Sequence, residues 1–162
     1  MILIIRSLDE SDFIPIISVV DEWWAGRQMT DMLPKLFFTH FKDTSFIIET
    51  DGKIVAFLIG FVSQSYSNEA YIHFVGVHPD YRKQGLGRKL YESFFDKVAT
   101  KGCSIVRSIT SPVNKGSICF HTSMGFQIAE GGSLVNGILI NTNYDGPGKD
   151  RVLFSRQLYS LI

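Results

Sequence analysis

The hydrophobic pattern is clearest between Tyr71 and Lys101, where it predicts a strand, a turn and a helix. Residues from Tyr71 to His78 alternate and are rich in β-branched and aromatic side chains, which predicts a strand that ends at Pro79. After Gly85, apolar residues recur at every fourth position and predict one face of a helix. These residues are Leu86, Leu90, Phe94 and Val98.

The same patterns divide the rest of the chain. Strands are predicted at residues 2–8, 45–49, 54–63, 69–78, 105–110, 127–129, 138–140 and 151–158. Helices are predicted at residues 12–24, 31–41, 86–101 and 115–124. The first strand is expected to be buried because it is almost wholly apolar. Antiparallel pairs followed by helical crossovers indicate a mixed α/β sheet. The glycine-rich residues 130–150 are expected to form a functional or mobile loop.

Length and composition favour a single domain that spans residues 1–162. The chain is 45% hydrophobic and 20% charged, which is typical of a folded globule. Sixteen basic and sixteen acidic side chains cancel, so the net charge gives no reason to expect nucleic acid or an acidic membrane as a partner. No apolar run is long enough to cross a bilayer, and Cys103 and Cys119 lack metal-ligand spacing. We therefore expect a cytoplasmic protein with two reduced core cysteines and no metal.

The turn between the strand and the helix has the chemistry of an anion site. The first turn of a helix leaves backbone N–H groups unpaired, and the helix dipole adds partial positive charge there. Gly85 and Gly87 let an anion approach the backbone, while Arg82, Lys83 and Arg88 surround it with positive charge. These features predict a phosphate or pyrophosphate site.

Two common phosphate-binding motifs fit this turn poorly. A dinucleotide fingerprint requires glycine at the position of Leu90. A nucleotide P-loop requires Gly-Lys-Ser/Thr, which does not follow at Gly87. Binding of the phosphates of ATP or NAD by this turn is nevertheless one of the functions that the sequence allows.

The motif that fits is R-x-x-G-x-G, formed by Arg82, Gly85 and Gly87. With the preceding strand at residues 75–81 and the later segment at residues 114–126, it resembles the GNAT superfamily of N-acetyltransferases over nearly the whole chain. The resemblance implies a GNAT fold with about seven mostly antiparallel strands, about four helices, and a fourth and a fifth strand that are splayed apart.

The resemblance also implies that the turn binds acetyl-coenzyme A (acetyl-CoA). The open edge of the fourth strand would pair with the pantetheine arm, as a peptide does when it adds a strand to a sheet. Gly76 suits a bulge or a close approach at this place, and Val75 N–H would polarise the acetyl carbonyl. The implied cofactor-binding residues are Val75, Gly76, Val77, Arg82, Lys83, Gln84, Gly85, Leu86, Gly87, Arg88, Asn114, Ser117 and His121.

Acetyl transfer to an amine needs a base, because an ammonium nitrogen has no lone pair. Strand alternation places Tyr71, His73 and Val75 on one face of the sheet. His73 is the predicted base, because histidine titrates near working pH and GNAT members that acetylate arylalkylamines place histidines similarly. Glu69 is the alternative base, and His78 is expected to be structural.

The expected acid lies in the later segment. Many GNAT members resemble a pattern of Asn, a short helix and Leu-Tyr-x-x-x-Gly-Phe, in which the tyrosine hydroxyl faces the sulfur. Here Asn114 occupies the first place, and His121 occupies the tyrosine position. His121 is therefore the predicted acid, with packing or a hydrogen bond to the cofactor as alternatives. Asn114 would bind the cofactor, cap the helix, or do both.

The acceptor is poorly specified by the sequence. An apolar pocket lined by aromatic residues is one interpretation, and a role of the same residues in the core is the other. The candidate residues are Trp23, Trp24, Phe37, Phe38, Tyr71 and Tyr144. Asp145 is a candidate partner for a cationic amine.

The sequence thus predicts an acetyl-CoA-dependent N-acetyltransferase that acts by direct transfer in a ternary complex. The expected acceptor is a small primary amine or an amino-acid-like molecule, because no acidic run marks a docking site for a basic peptide. A non-catalytic acyl-CoA binding protein or sensor is the alternative. A homodimer is common for such folds and is expected as a possible state.

Overall fold

The computed structural model describes residues 1–158, which form nine strands and five α-helices. The strands are β1 Ile4–Ser7, β2 Phe46–Thr50, β3 Lys53–Val62, β4 Glu69–Val77, β5 Ile105–Thr110, β6 Gln127–Ile128, β7 Ser133–Val135, β8 Ile138–Ile140 and β9 Val152–Gln157. The helices are α1 Phe13–Ile17, α2 Val20–Trp23, α3 Leu36–His40, α4 Leu86–Thr100 and α5 Lys115–Ser123. Short 3₁₀ turns occupy Glu10–Asp12, Thr30–Met32, Lys42–Thr44 and Pro79–Tyr81.

Seven strands form one mixed sheet in the order β1-β2-β3-β4-β5-β9-β6. The pair β4–β5 is parallel, and the other neighbouring pairs in this sheet are antiparallel. The parallel pair follows from the crossover through α4, because parallel strands need a long connection. This architecture confirms the predicted mixed α/β class.

Helices cover the sheet from both sides and create two hydrophobic clusters. On one face, α4 contributes Leu90, Phe94 and Val98 to a cluster that includes Leu58 and Ile72. On the other face, the N-terminal helices pack on β2, β3 and β4. That second cluster includes Ile16, Val20, Trp23, Phe38, Ile47, Phe57 and Phe74.

Strand β1 corrects one expectation. It begins at Ile4 rather than at residue 2, and it lies at the edge of the sheet instead of in its interior. The side chain of Ile4 is 50% exposed, and Ile5 is also exposed. An apolar run therefore marks a strand here, but it does not show whether that strand has neighbours on both sides.

The first predicted helix is divided. The capping box of Asp9 and Asp12 forms as the sequence indicates, but it closes a 3₁₀ turn before α1. Helix α1 ends at Ile17, and the Ser18 hydroxyl donates a 2.7 Å hydrogen bond to the Ile14 carbonyl. Serine side chains compete in this way for backbone partners. The second predicted helix is likewise shortened to α3, because Pro34 separates it from the preceding 3₁₀ turn.

Residues 130–150 contain more regular structure than their composition predicts. Strands β7 and β8 form a separate hairpin, of which only β8 was expected. Asn136 and Gly137 form its turn with positive φ angles of 51° and 80°, as a two-residue hairpin requires. The following loop is closed at its base by pairing of Asn141 with Arg151.

Three further observations limit the classes of site. Cys103 is buried, but Cys119 is exposed on α5, so the expectation of a core position was wrong for Cys119. Residues 1–158 include no cluster of three or more His, Cys, Asp or Glu side chains placed to hold a metal ion. Within the same residues, no helix has the length and apolar character needed to cross a membrane.

Candidate active site

The strands β4 and β5 part in the middle of the sheet. They are paired only from Glu69 to Tyr71 on β4, and the Ser108 hydroxyl makes a last link to the Ile72 carbonyl at 3.2 Å. Beyond Ile72, the edge of β4 that faces β5 has no strand paired with it. The predicted splay is therefore present, and it opens a gap that is lined by backbone groups.

The direction of the backbone groups in this gap follows from strand geometry. The His78 N–H donates to the Val55 carbonyl on β3 at 2.8 Å. The backbone N–H groups of successive residues in a strand point to opposite edges of that strand. The N–H of Gly76 therefore also points to β3, whereas the N–H groups of Val75 and Val77 point into the gap. The N–H of Val75 is thus placed where the sequence analysis expected it.

A β-bulge at His73 changes the faces of β4. Ile59 pairs with Phe74, while the next residue, Gly60, pairs with Ile72, so His73 is the extra residue. Val75 consequently packs towards the cluster of α4, whereas Tyr71 and His73 face α3 and its neighbours. The expectation that Tyr71, His73 and Val75 share one face was wrong because a bulge reverses the alternation.

Gly76 serves close packing and not the bulge. A Cβ atom at Gly76 would lie 2.5 Å from the ring of Phe57 and 3.1 Å from Trp24. Only glycine allows these aromatic rings to approach β4 at this point. Of the two functions expected for Gly76, the structure shows the close approach.

The predicted anion turn presents unpaired donors beside this gap. Within residues 1–158, the six N–H groups of residues 83–88 donate no hydrogen bond. Gly85 precedes α4 with a φ of +80°, a left-handed conformation that favours glycine. A cavity of about 450 Å³ adjoins this turn, lined by Val77, Tyr81, Arg82, Lys83, Gly85, Leu86, Gly87, Arg88, Phe120 and Ser123. The turn therefore offers a concave site for an anion.

Arg82 has a structural function in this arrangement. Its Nε donates to the Val77 carbonyl at 3.2 Å, and another guanidinium nitrogen donates to the Trp23 carbonyl. Arg82 thereby ties the turn to the end of β4 and to α2. Arg82, Lys83 and Arg88 are all exposed and line the cavity, but Arg82 already donates two hydrogen bonds to backbone carbonyls.

The other residues of the turn differ in what they expose. Gln84 is exposed, whereas the Leu86 side chain is buried in the core and only its backbone can meet an anion. A Cβ atom at Gly87 would lie 3.3 Å from the ring of Phe120 on α5. Gly87 therefore allows α4 and α5 to pack closely, which is a reason for glycine that the motif alone does not show.

His73 is held by contacts on the side of the sheet where α3 lies. Its Nε2 lies 2.6 Å from the Met32 carbonyl, which can only accept, so the proton is on Nε2 and Nδ1 keeps its lone pair. The ring stacks on Phe37 with centroids 4.3 Å apart. Burial lowers the pKa of His73 below 6.5, although the Met32 carbonyl opposes this shift.

Glu69 is engaged by an arginine. Both of its carboxylate oxygens accept from Arg107, at 2.8 and 2.9 Å. The hydrogen bonds from Arg107 lower the pKa of Glu69, which makes its carboxylate a weaker base. Between the two candidates, the geometry favours His73.

His121 lies in the core rather than in the gap. It is only 5% exposed and stacks on Phe154 with centroids 4.4 Å apart. Nε2 lies 2.9 Å from the Tyr91 hydroxyl, and Nδ1 lies 2.8 Å from the Ser117 carbonyl. Burial lowers the pKa of His121, so the neutral ring is favoured. His121 could reach a sulfur in the gap only by leaving these partners.

Two more predicted cofactor residues lie at the start of α5. The Asn114 Oδ1 accepts from the Ser117 N–H at 3.1 Å, which is the helix cap that the sequence allowed. The Ser117 hydroxyl lies 3.2 Å from His121 Nδ1. Asn114 is exposed and Ser117 is half-buried, so both can also meet a ligand.

The predicted acceptor residues divide into core and surface groups. Trp23 and Phe38 are buried in the second cluster, and Trp24 packs on Phe74 with centroids 5.0 Å apart. Tyr144 is 51% exposed. Asp145 accepts from Arg151 Nε at 2.7 Å, so its carboxylate already has a cationic partner.

Tyr71 is half-buried next to the loop that closes at Asn141 and Arg151. Burial, with smaller contributions from Tyr144 and Asp145, raises the pKa of Tyr71 to about 12. The phenol is therefore neutral at neutral pH. The structure brings Tyr71 close to Tyr144 and Asp145 of this loop, a proximity that the sequence analysis did not address.

The sequence analysis missed several contributors to this side of the site. The Met32 carbonyl fixes the tautomer of His73, but a backbone group leaves no mark in a sequence. Phe41 and Phe61 continue the aromatic contacts of Phe37. Phe61 is distant in sequence from Phe37 and Phe41, so the sequence does not show that these rings lie close together. The only signal in the sequence is the frequency of aromatic residues in these segments.

A larger cavity of about 710 Å³ lies on the outer side of α4. It is bounded by α4, the end of α5 and the end of β9. Its lining does not include the residues of β4 or β5 that border the gap. We therefore place the candidate site at the gap and the turn.

Comparison with known proteins agrees with this assignment. The family model of the acetyltransferase (GNAT) family matches residues 8–126. The match covers more than half of the chain, and the protein therefore belongs to the GNAT family.

Two curated relatives and one solved structure illustrate the similarity. The L-2,4-diaminobutyric acid acetyltransferase of Nocardia farcinica is 29% identical over 55% of this chain and 46% of its own length. The ribosomal protein bS18-alanine N-acetyltransferase of Escherichia coli K12 is 33% identical over 52% of this chain and 55% of its own. The matches thus span about half of each relative. The structure of yncA from Salmonella typhimurium with its cofactor acetyl-CoA has a TM-score of 0.71 at 20% identity, covering 98% of this chain and 95% of the other.

The residues present fit the cofactor that the family uses. The unpaired N–H groups of residues 83–88 suit a pyrophosphate, and the open edge of β4 suits the amides of pantetheine. Both features lie side by side, because the 3₁₀ turn Pro79–Tyr81 directly joins β4 to the anion turn.

Proposed function

We propose that this protein is an N-acetyltransferase that moves an acetyl group from acetyl-CoA to a primary amine in a ternary complex. The observation that carries the proposal is the run of unpaired N–H groups at residues 83–88 beside the gap between β4 and β5. The two named relatives support it, because their names specify N-acetylation of alanine in ribosomal protein bS18 and acetylation of diaminobutyric acid, which carries primary amines.

The backbone of the chain would bind and orient the donor. When bound, acetyl-CoA supplies the acetyl group as a thioester. Amides of residues 83–88 would hold the pyrophosphate, and the edge of β4 would align the pantetheine arm. Val75 N–H points into the gap and would stabilise negative charge on the acetyl oxygen, a contribution of about 3 kcal/mol in comparable sites.

His73 is the proposed base. Its Nε2–H is bound to the Met32 carbonyl, so the Nδ1 lone pair is the group that can accept a proton. The lowered pKa keeps this lone pair free at neutral pH. A nitrogen that attacks a carbonyl becomes more acidic as its bond to carbon forms, and His73 can then take its proton. Glu69 is less suitable because Arg107 already holds it.

His121 remains the proposed proton donor to the departing sulfur, but its position favours a second candidate function. Both ring nitrogens have partners in the core. A protein without a working acid would bind acyl-CoA without turnover. A non-catalytic acyl-CoA sensor is therefore the second candidate.

The test is an acceptor screen with release of free coenzyme A as the readout. Acetyl-CoA is incubated with a broad panel of primary amines, and thiol release is compared with an amine-free control. Release that depends on an amine supports the transferase. Tight coenzyme A binding without release on the whole panel would support the sensor, and tighter binding of ATP or NAD would contradict both.

A further inference from the structure

Five aromatic side chains form a continuous series of stacked and tilted ring contacts on the side of the sheet where α3 lies. The ring centroids are 4.3 Å apart from His73 to Phe37, 5.3 Å from Phe37 to Phe41, 5.1 Å from Phe41 to Phe61 and 5.5 Å from Phe61 to Tyr71. We call these five residues the aromatic ladder. It starts and ends on β4, and His73 at one end is the proposed base.

The aromatic ladder is not part of the hydrophobic core. All five rings are only half-buried. Of the four Phe and Tyr rings, only Phe37 packs against either buried cluster among the described residues, while His73 lies beside the buried Phe74 with ring centroids 6.3 Å apart. Partly exposed aromatic rings that adjoin one another cost free energy unless something covers them. The exposed side chains of Met32, Leu36 and Tyr144 extend this apolar surface.

Two carboxylates near the aromatic ladder are already paired with arginines. Glu69 makes two hydrogen bonds to Arg107, and Asp145 is bound to Arg151. Neither carboxylate can recognise a second cation without giving up its arginine. This surface therefore selects for shape and apolar contact more than for charge.

On these observations we propose that the acceptor is a primary amine that carries an aromatic group, and that this group packs against the aromatic ladder while the amine reaches His73. The inference rests on the proposed function and adds the class of acceptor. Aromatic rings gain from stacking beyond the burial of their area, so a flat ring gains more here than a saturated one.

The experiment compares three primary amines as acceptors: phenethylamine, its saturated analogue cyclohexylethylamine, and ethanolamine. We expect kcat/KM for phenethylamine to exceed that of cyclohexylethylamine by about fivefold, from stacking. It should exceed that of ethanolamine by about a hundredfold, from burial of the ring. Calorimetry with phenethylamine and the protein alone should show binding without turnover.

Substitutions in the aromatic ladder test whether the preference for an aromatic amine arises there. Phe61→Leu should reduce the preference for phenethylamine over cyclohexylethylamine by about fivefold, and Phe41→Leu provides a second test if the first variant does not fold. Phe13→Leu is the matched control, because Phe13 is also half-buried but packs on Phe38 away from the ladder. An unchanged preference in both ladder variants would overturn the assignment.

The outcomes separate the two proposals. Release of coenzyme A that is no faster with any amine than in the amine-free control would overturn the proposed function. Release that favours ethanolamine over phenethylamine would leave the transferase in place and overturn only the aromatic acceptor. An aromatic preference that both ladder variants reduce and Phe13→Leu retains would support both.

Discussion

The phenol of Tyr91 and the imidazole of His121 share a buried hydrogen bond of 2.9 Å between α4 and α5. The Ser117 carbonyl accepts from Nδ1, so the Tyr91 hydroxyl must donate to Nε2. Burial raises the pKa of Tyr91 and lowers that of His121, so both groups are neutral. His121 occupies the position where the family pattern has a tyrosine that faces the cofactor, and Tyr91 lies on α4 outside that pattern.

Removing one partner of this pair should destabilise the fold. We expect His121→Phe to reduce the free energy of unfolding by about 1–3 kcal/mol, because the buried Tyr91 hydroxyl loses its acceptor. Urea denaturation measures the change. The double variant with Tyr91→Phe should recover much of the loss, since both polar groups are then absent. If the double variant is instead less stable than His121→Phe, the unpaired Tyr91 hydroxyl is not the reason for the loss of stability.

The stability should also depend on pH in a defined window. The folded-state pKa values of His73 and His121 lie below the ordinary value of 6.5, so the unfolded chain binds more protons between the two values. Their contribution is complete above about pH 6.5 and is lost as the pH falls towards the folded-state pKa values. Unfolding at a series of pH values tests this.

A comparison of variants isolates the histidine contribution to that pH dependence. The double variant His121→Phe with Tyr91→Phe should show a shallower loss of stability between about pH 6.5 and pH 5 than the parent protein. The carboxylates with lowered pKa values, such as Glu69, lose their contribution only at lower pH. An identical slope in both proteins would show that His121 does not carry the effect.

The two candidate bases make different predictions. His73→Gln should lower kcat by about a hundredfold, as expected for loss of a general base, and should leave coenzyme A affinity nearly unchanged. Glu69→Gln should lower kcat less than about threefold, because Arg107 already holds the carboxylate in its ionised form. A larger loss of kcat in Glu69→Gln than in His73→Gln would reverse the assignment.

The comparison of sequence and structure shows what a local pattern can reveal. The splay of β4 and β5 was expected from the resemblance to the GNAT superfamily, and the anion turn was predicted because glycines and a strand-to-helix change are local signals with a fixed physical meaning. The strand assignments at residues 105–110 and 138–140 match the structure for the same reason.

Other features depend on partners distant in sequence. No glycine or proline on β4 marks the bulge at His73, and the register shift at Gly60 is evident only in the pairing of β4 with β3. The exposure of Ile4 depends on the position of β1 at the sheet edge. The inward direction of His121 depends on Tyr91 and Phe154, which no motif includes.

Charge placed in the anion turn should weaken cofactor binding. Gln84 is exposed within the run of unpaired N–H groups, and Gln84→Glu adds a negative charge with almost no change in shape. We expect the Kd for coenzyme A to rise about threefold to tenfold, from repulsion of the pyrophosphate across solvent. The exposed Gln64 lies in the β3–β4 connection, so Gln64→Glu is the matched control and should have no effect. Equal Kd values for the two variants would argue against an anion at the turn.

The central claim is that the N–H groups of residues 83–88 hold the pyrophosphate of coenzyme A beside the open edge of β4. Amide NMR of the isotopically labelled protein during titration with coenzyme A tests it most directly. The account predicts that the amide signals of residues 83–88 and of Val75 shift most. If the largest shifts occur instead at the outer side of α4, and the amide signals of residues 83–88 do not change, the result would contradict the account.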